Sequence, residues 1–468
     1  MLARKCCGRD GIYQKKGPLA LPQAAKSREE TPKEGSDTSC RQHYQPVRHE
    51  TPMRETQARP SCRAFVCLVR KWSVLRASAI NLSYRSVPLW VLDVYLRSIE
   101  PLIAIILASF LRASFVGDAE ENVMKALVYN GPEKKAIEQR PKPEIAAPTD
   151  AVVKLVKTTI CGTDLHILKG DVPTCVPGRI LGHEGVGVVD KVGNAVTAFK
   201  PGDHVIISCI SSCGTCDYCR RGMYSHCVNG GWILGNRIDG TQAEFVRTPF
   251  ADTSLYHVPA EAEEDALVML SDILPTGFEC GVLNGKVQPG STVAIVGAGP
   301  IGIAALLTAQ FYSPAEIIMI DLDDDRLEMS SRFGATAGIN NKDGKAVEKV
   351  MKMTDGRGVD TAIEAVGMPA SFITCQDIVA PGGVIANIGV HGVKADLHLE
   401  RLWDRNISIT TRLVDTVTTP MLLKTVQSRK IDAKKLITHR FKFDKILEAY
   451  ETFGGAASTH ALKVLIEF

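Results

Sequence analysis

From Lys125 onward, short runs of alternating apolar and polar residues recur between glycines and prolines. KALVY (125–129), AVVKLVKTTI (151–160) and GVGVVDKVG (185–193) read as strands, and PGDHVII (201–207) as another after a turn. Near residue 291 the pattern changes. STVAIVG (291–297) is a continuous apolar run of buried-strand type, and GPIGIAALLTAQFY (299–312) carries its apolar residues at helical spacing. EIIMID (316–321) predicts a second strand and RLEMSSRFG (326–334) a second helix. DTAIEAVG (360–367) and GGVIANIG (382–389) continue the alternation. Strands alternating with helices imply a parallel, doubly wound sheet, so the fold class is α/β with a β-rich domain ahead of it. RFKFDKILEAYETF (440–453) predicts a helix and ALKVLIEF (461–468) a last strand, returning to the first domain.

The first 123 residues follow another rule. The opening sixty are polar, rich in Pro, Arg and Ser, and without period, a composition expected to stay disordered. The longest apolar-rich run there, PLIAIILASFL (101–111), is well short of the roughly 20 residues a membrane-spanning helix needs, and lies too far in for a signal peptide. Three readings stand side by side: a leader translated from upstream sequence, a membrane-surface segment, or a targeting segment. Met124 opens the clean pattern and would serve as a start residue. The expected organisation is therefore 1–123 extension, 124–275 β-rich domain, 276–415 α/β domain, and 416–468 return to the first domain.

Charge changes the picture little. The net charge of the 468-residue chain is +3, but residues 1–123 hold 19 Lys and Arg against 12 Asp and Glu, and the remainder 36 against 40. The basic excess thus belongs to the extension, and the body has no basic stripe for nucleic acid. Cysteine usage says more. Of 14 cysteines, four sit at 213, 216, 219 and 227. In a large chain without a clean secretory signal, that clustering favours metal over disulfides and fits a reducing, cytoplasmic setting. Four thiolates at this spacing saturate a tetrahedral zinc ion and leave no open position, which describes a structural site. Cys175, Cys209, Cys280 and Cys375 are scattered and read as packing residues.

The strand 292–296 runs directly into Gly297-Ala298-Gly299-Pro300-Ile301-Gly302. This G-x-G-x-x-G lies between a strand and a helix, as a dinucleotide pyrophosphate requires: one glycine for the turn, one for close backbone approach, one for helix–strand packing. The helix N-terminus adds free N–H groups and a positive dipole. Asp321 ends the next strand, where a carboxylate accepts ribose hydroxyls and repels a 2′-phosphate, so NAD is expected rather than NADP.

A second, dispersed set completes the chemistry. Cys161 lies in ICGTDLH and His183 in GHEGVG; each alone reads equally as a core residue. Gly182-His183-Glu184-x2-Gly187-x5-Gly193-x2-Val196, followed by the four-cysteine loop and the glycine turn, resembles the zinc-containing medium-chain alcohol dehydrogenases over residues 124–468, about three quarters of the chain. The resemblance implies a GroES-like catalytic domain and two zinc ions per chain. It implies catalytic zinc on Cys161 and His183, with Glu184 as a direct ligand or a close neighbour. In place of the family's Cys2His set, LSDILPTGFECG (270–281) is similar to the bacterial secondary-alcohol enzymes and supplies Asp272. By the same resemblance Thr163 touches the bound alcohol, His166 ends a proton relay to solvent, and Lys463 faces the cofactor pyrophosphate. Trp232, Trp403 and Leu413 are open to pocket and core readings alike. The expected activity is reversible hydride transfer between NAD and a small alcohol, secondary rather than primary. Polyol, threonine and formaldehyde dehydrogenases on the same scaffold are the alternatives within the enzyme class, and a zinc-lacking reductase or structural relative the alternative outside it. Partners beyond the small-molecule substrate are expected to be further copies of the chain, as a tetramer or dimer.

Overall fold

The computed structural model describes residues 122–259 and 262–468. The expectations for the extension fall almost wholly outside them. Where the described chain begins, β1 (Val123–Tyr129) already pairs antiparallel with β2 (Lys135–Pro141), from Val123 opposite Pro141. Among the described residues, pairing is thus already present one residue before Met124.

Two large sheets organise the rest. In the first, β3 (Ala151–Thr159), β5 (Gly185–Val192), β6 (His204–Ile207) and β8 (Leu255–His257) pair antiparallel in that order, and β7 (Phe245–Thr248) also pairs β3. β1 and β2 form a smaller sheet with β4 (Arg179–Ile180). The second large sheet is wholly parallel, in the order β11-β10-β9-β12-β13-β14, from β9 (Thr292–Val296), β10 (Glu316–Asp321), β11 (Ala337–Asn340), β12 (Val359–Glu364), β13 (Val379–Asn387) and β14 (Ser408–Thr411). This is the doubly wound order, with its switch point between β9 and β12. β9 is buried at every position, as its continuous apolar run requires when helices cover both faces.

The chain then returns. β15 (Ile437–Lys442) and β16 (Lys463–Glu467) join the first sheet, β16 lying between β15 and β3. The helix expected from Arg440 begins only at Ile446. Arg440, Phe441 and Lys442 are strand, because the parallel ladder to β16 competes successfully with their helical spacing.

A buried polar cluster ties the cysteine loop to the parallel sheet. Glu279, fully buried in a π-helical stretch (Gly277–Leu283), accepts hydrogen bonds from the Asp415 and Thr418 backbone N–H groups and the Thr418 hydroxyl. Asp415 in turn accepts from the Ser225 N–H and hydroxyl and from Arg412. Ser225 lies two residues before Cys227. Among the described residues no single helix is long and apolar enough to cross a membrane.

Candidate active site

The glycine turn is built by steric exclusion. Gly297 has φ +107°, a left-handed backbone, and a Cβ there would meet Val366 at 2.7 Å. A Cβ on Gly302 would lie 1.8 Å from the Gly297 carbonyl oxygen, so helix and strand approach as closely as the backbone permits. Gly299 differs: only Arg326 Nη1, at 3.9 Å, comes within 4 Å of its notional Cβ. Its open side faces the N-terminus of the helix Pro300–Ala309, where Pro300 occupies a first-turn position and Ile301 follows. Asp321 closes the turn from β10. Its carboxylate accepts from Ala298 N at 2.6 Å and from Leu322 N and Asp323 N at 2.8 and 3.0 Å. Arg326, in the first turn of the helix Asp324–Arg332, is a cation beside the turn that sequence reasoning missed.

Three separate segments deliver the dispersed set. Cys161 caps the helix Gly162–Lys169, its N–H held by Asp164 at 2.9 Å. His183 and Glu184 enter β5, anchored by the Thr158 and Thr241 hydroxyls on the Glu184 carbonyl. Gly182 before them has φ +91°, and a Cβ there would strike Gln242 and Thr241. Asp272 stands just ahead of the helix Ile273–Thr276, and the Thr276 hydroxyl donates to it. Donor atoms of Cys161, His183, Glu184 and Asp272 all lie within 4.8 Å of one another. His183 Nε2 is 3.1 Å from Asp272 Oδ2, and Cys161 Sγ is 4.0 Å from the same oxygen. Ligands around a tetrahedral zinc ion sit about 3.3–3.8 Å apart, so sulfur, imidazole and carboxylate fit one ion.

Within this set burial and close contacts pull in opposite directions. Burial works against charge on His183, yet Asp272 and Cys161 outweigh it and hold the imidazole well above its ordinary value. Burial pushes Asp272 up, but the hydrogen bond and charge of His183 leave it below the ordinary carboxylate value. Cys209, buried against this set, is raised by burial first and then by Asp272, so it packs as a neutral thiol. The second cluster, Cys213, Cys216, Cys219 and Cys227, likewise gathers its sulfurs within 4.8 Å. Burial raises Cys213, but hydrogen bonds from Thr215 outweigh it and bring the thiol down to about 5. Cys219 is pushed up to about 12, first by burial and then by Cys216.

Several of the remaining residues named from the sequence lie around this set. Thr163 Oγ1 is 3.6 Å from Cys161 Sγ. His166 Nδ1 pairs with Asp171 Oδ2 at 2.9 Å and stays partly open to solvent. Lys463 pairs with Glu184. It is 1% exposed, and its Nζ lies 2.8 Å from both oxygens of Glu184 and 3.3 Å from the Ile160 carbonyl. The reason is register: the antiparallel pairing that sets Leu465 opposite Thr159 carries residue 463 to the inner end of β3, behind the metal-type cluster. Trp232 stands edge-on to His183, with ring centroids 6.2 Å apart. Trp403 is 78% exposed and Leu413 45%, so neither is core.

Comparison with known proteins agrees with this geometry. Residues 147–260 match the alcohol dehydrogenase GroES-like domain, and residues 300–428 the zinc-binding dehydrogenase domain. The chain is 35% identical over 356 residues to an alcohol dehydrogenase of Cupriavidus necator, a match covering 71% of this chain and 95% of that one. It is 33% identical over 330 residues to the NADP-dependent isopropanol dehydrogenase of Thermoanaerobacter brockii, covering 67% and 90%. The solved apo structure of zinc-dependent alcohol dehydrogenase 2 from Streptococcus pneumonia superposes with a TM-score of 0.71 at 57% identity, covering 74% of this chain and 98% of that one. The chain belongs to the zinc-type medium-chain alcohol dehydrogenase family. It is accordingly an oxidoreductase of the zinc-dependent alcohol dehydrogenase type, taking a small alcohol and a nicotinamide cofactor.

Proposed function

We propose that the chain interconverts a small secondary alcohol and its ketone with NAD, using zinc held by Cys161, His183 and Asp272 and a second, structural zinc in the four-cysteine loop. The observation that carries this reading is the convergence of Cys161, His183 and Asp272 from three distant segments onto one point. When bound there, zinc supplies Lewis-acid chemistry that makes an alcohol hydroxyl acidic near neutral pH. The residues around it do the rest. Thr163, beside the Cys161 sulfur, orients the substrate hydroxyl. His166, fixed by Asp171 and open to solvent, passes the released proton outward. Half-buried Trp232 and buried Cys209 limit water beside the reacting carbon.

For the cofactor, the glycine turn and the helix N-terminus are suited to hold the pyrophosphate, with Arg326 adding positive charge. Asp321 supports NAD, since a carboxylate repels a 2′-phosphate. The Thermoanaerobacter relative bears the opposite cofactor in its name, which makes cofactor choice the sharper half of the test. Steady-state kinetics of the chain from Met124 with NAD and NADP, on 2-propanol and ethanol, is expected to favour NAD and the secondary alcohol, with two zinc ions per chain. Equal rates with NADP, or fewer than one zinc per chain, would overturn the reading.

A further inference from the structure

The segment that leaves β14 is fastened to the first domain at successive residues. Asp415 Oδ1 accepts from the Ser225 N–H at 2.8 Å and the Ser225 hydroxyl at 2.6 Å, and Arg412 holds Oδ2 at 2.7 Å. The Ser225 hydroxyl also reaches the Leu413 carbonyl at 3.4 Å. Thr416 follows with φ +60°, a left-handed backbone that a β-branched residue keeps only when its surroundings hold it. Ser208 and Tyr256 do so. The Ser208 hydroxyl lies 2.7 Å from that of Thr416, and the Tyr256 hydroxyl donates to the Thr416 carbonyl at 2.8 Å. Val414 thus sits between two residues bonded to Ser225. It is buried in a small apolar cluster with Cys209, Ile210 and Cys280, against which Trp232 and Ile388 pack. Cys209 is also buried against Asp272 and Cys161, and Trp232 stands edge-on to His183. This cluster is therefore the apolar wall beside the metal-type set.

We propose that Ser225 and Asp415 are positioning residues for substrate size: they hold Val414 in place as the wall of the alcohol space, so the four-cysteine loop sets which alcohols fit. The inference rests on the reading above that the alcohol binds at Cys161, His183 and Asp272. Ser225 lies between Cys219 and Cys227, so the loop reaches the cleft through one side chain. The division of bonds separates positioning from plain anchorage. Glu279 already fastens the segment through the Asp415 and Thr418 N–H groups and the Thr418 hydroxyl. The Ser225 hydroxyl adds nothing at residue 418. It fixes 413 and 415, the two residues flanking Val414. Without that hydroxyl, Asp415 keeps only the Ser225 N–H there and the Leu413 carbonyl loses its donor. Val414 then draws back, a small alcohol loses its contact, and a longer one gains room.

The test compares 2-octanol with 2-propanol in the full-length, zinc-loaded protein with NAD. Ser225→Ala is expected to raise KM for 2-propanol at least about fivefold while kcat stays within about twofold. The ratio of kcat/KM for 2-octanol to that for 2-propanol is expected to rise at least about fivefold. Ser225→Thr, which keeps the hydroxyl, is expected to stay within about twofold on both measures. Val414→Ala enlarges the space directly and is expected to shift the ratio the same way. Because Ser225 acts through Val414, the double variant Ser225→Ala/Val414→Ala is expected to exceed it by less than about twofold. A readout without turnover runs beside these: amide exchange across residues 412–418 is expected to quicken at least about tenfold in Ser225→Ala, with β9 unchanged. Should Ser225→Ala not fold, Asp415→Asn, which still accepts from Ser225 but loses its charge toward Arg412, is expected to shift the ratio the same way by a smaller factor. A folded Ser225→Ala with an unmoved ratio overturns the proposal. So does a kcat that falls equally on both alcohols, which marks a merely structural contact, and so do shifts that multiply in the double variant, which place the effect of Ser225 elsewhere. If the unaltered protein oxidises only primary alcohols, the secondary-alcohol reading has failed, and ethanol with 1-octanol carries the same comparison.

Discussion

Two alanine substitutions, three residues apart in one turn, should fail in opposite ways. A methyl on Gly302 would sit 1.8 Å from the Gly297 carbonyl oxygen and 2.9 Å from its carbon, both backbone atoms that cannot rotate away. Helix and strand must separate, and overpacking of this kind costs about 1–3 kcal/mol. A methyl on Gly299 meets no atom closer than 3.9 Å. Its backbone, at φ −73° and ψ −175°, is one any residue adopts. Loss of unfolded-state freedom stabilises by about 0.4–1 kcal/mol, and the poorer N-cap costs a similar amount, so the net change is close to zero. The space it occupies, however, is the open side of the turn. Gly302→Ala is therefore expected to lower the midpoint of thermal unfolding by several degrees. Gly299→Ala is expected to leave it within about one degree while weakening NADH at least tenfold, about 1.4 kcal/mol. Scanning calorimetry of the cofactor-free protein and NADH fluorescence titration read the two effects separately. A Gly299→Ala protein that binds NADH within twofold of the original would refute the assignment of this turn to the cofactor.

Asp321→Ser is expected to lower the ratio of kcat/KM with NAD to that with NADP by at least about tenfold; an unmoved ratio would show that Asp321 serves only the turn. His166→Gln should slow alcohol oxidation more in acid than in alkaline buffer, and a pH–rate profile parallel to that of the unaltered enzyme would remove His166 from proton transfer. Zinc uptake by the four-cysteine loop should release protons near pH 7, because Cys219 is pushed up to about 12 and Cys227 is also raised, whereas Cys213 at about 5 is already a thiolate; an indicator dye in weak buffer measures this, and uptake without acidification would contradict it. Burial pushes Asp265 up, but Arg440 at 2.6 Å and Lys157 outweigh it and hold the carboxyl low. Its contribution to stability is present above the ordinary carboxylate value and fades as pH falls through the lowered one. The difference in urea midpoint between the unaltered protein and Asp265→Asn should thus shrink from about pH 5 to below about pH 3, and a constant difference would count against the ion pairs.

What could be read from the chain was what lay close together in it. The cysteine loop places four ligands within one segment, and the glycine turn joins a strand to a helix directly, so spacing alone exposes their chemistry. Asp272 is less legible: nothing in LSDILP marks a ligand, and only the family resemblance singled it out. Lys463 is 279 residues from the carboxylate it holds, and strand register between β16 and β3 decides its partner. Arg326 needed the geometry of a first helical turn folding back on a loop. Glu279 did leave a trace, a lone charge in the apolar run GFECGVL, but the acceptor's partners, Asp415 and Thr418, lie more than a hundred residues away.

The interior place of β16 bears on how the protein is made. Its neighbour β3 leaves the ribosome some three hundred residues earlier, and the whole parallel sheet is synthesised in between. The nucleotide half can thus take shape while the metal-type pocket still lacks its lysine and a flanking strand. A newly made chain would complete this buried cluster last, and the unpaired edge of β3 is the surface a chaperone would have most reason to cover until then.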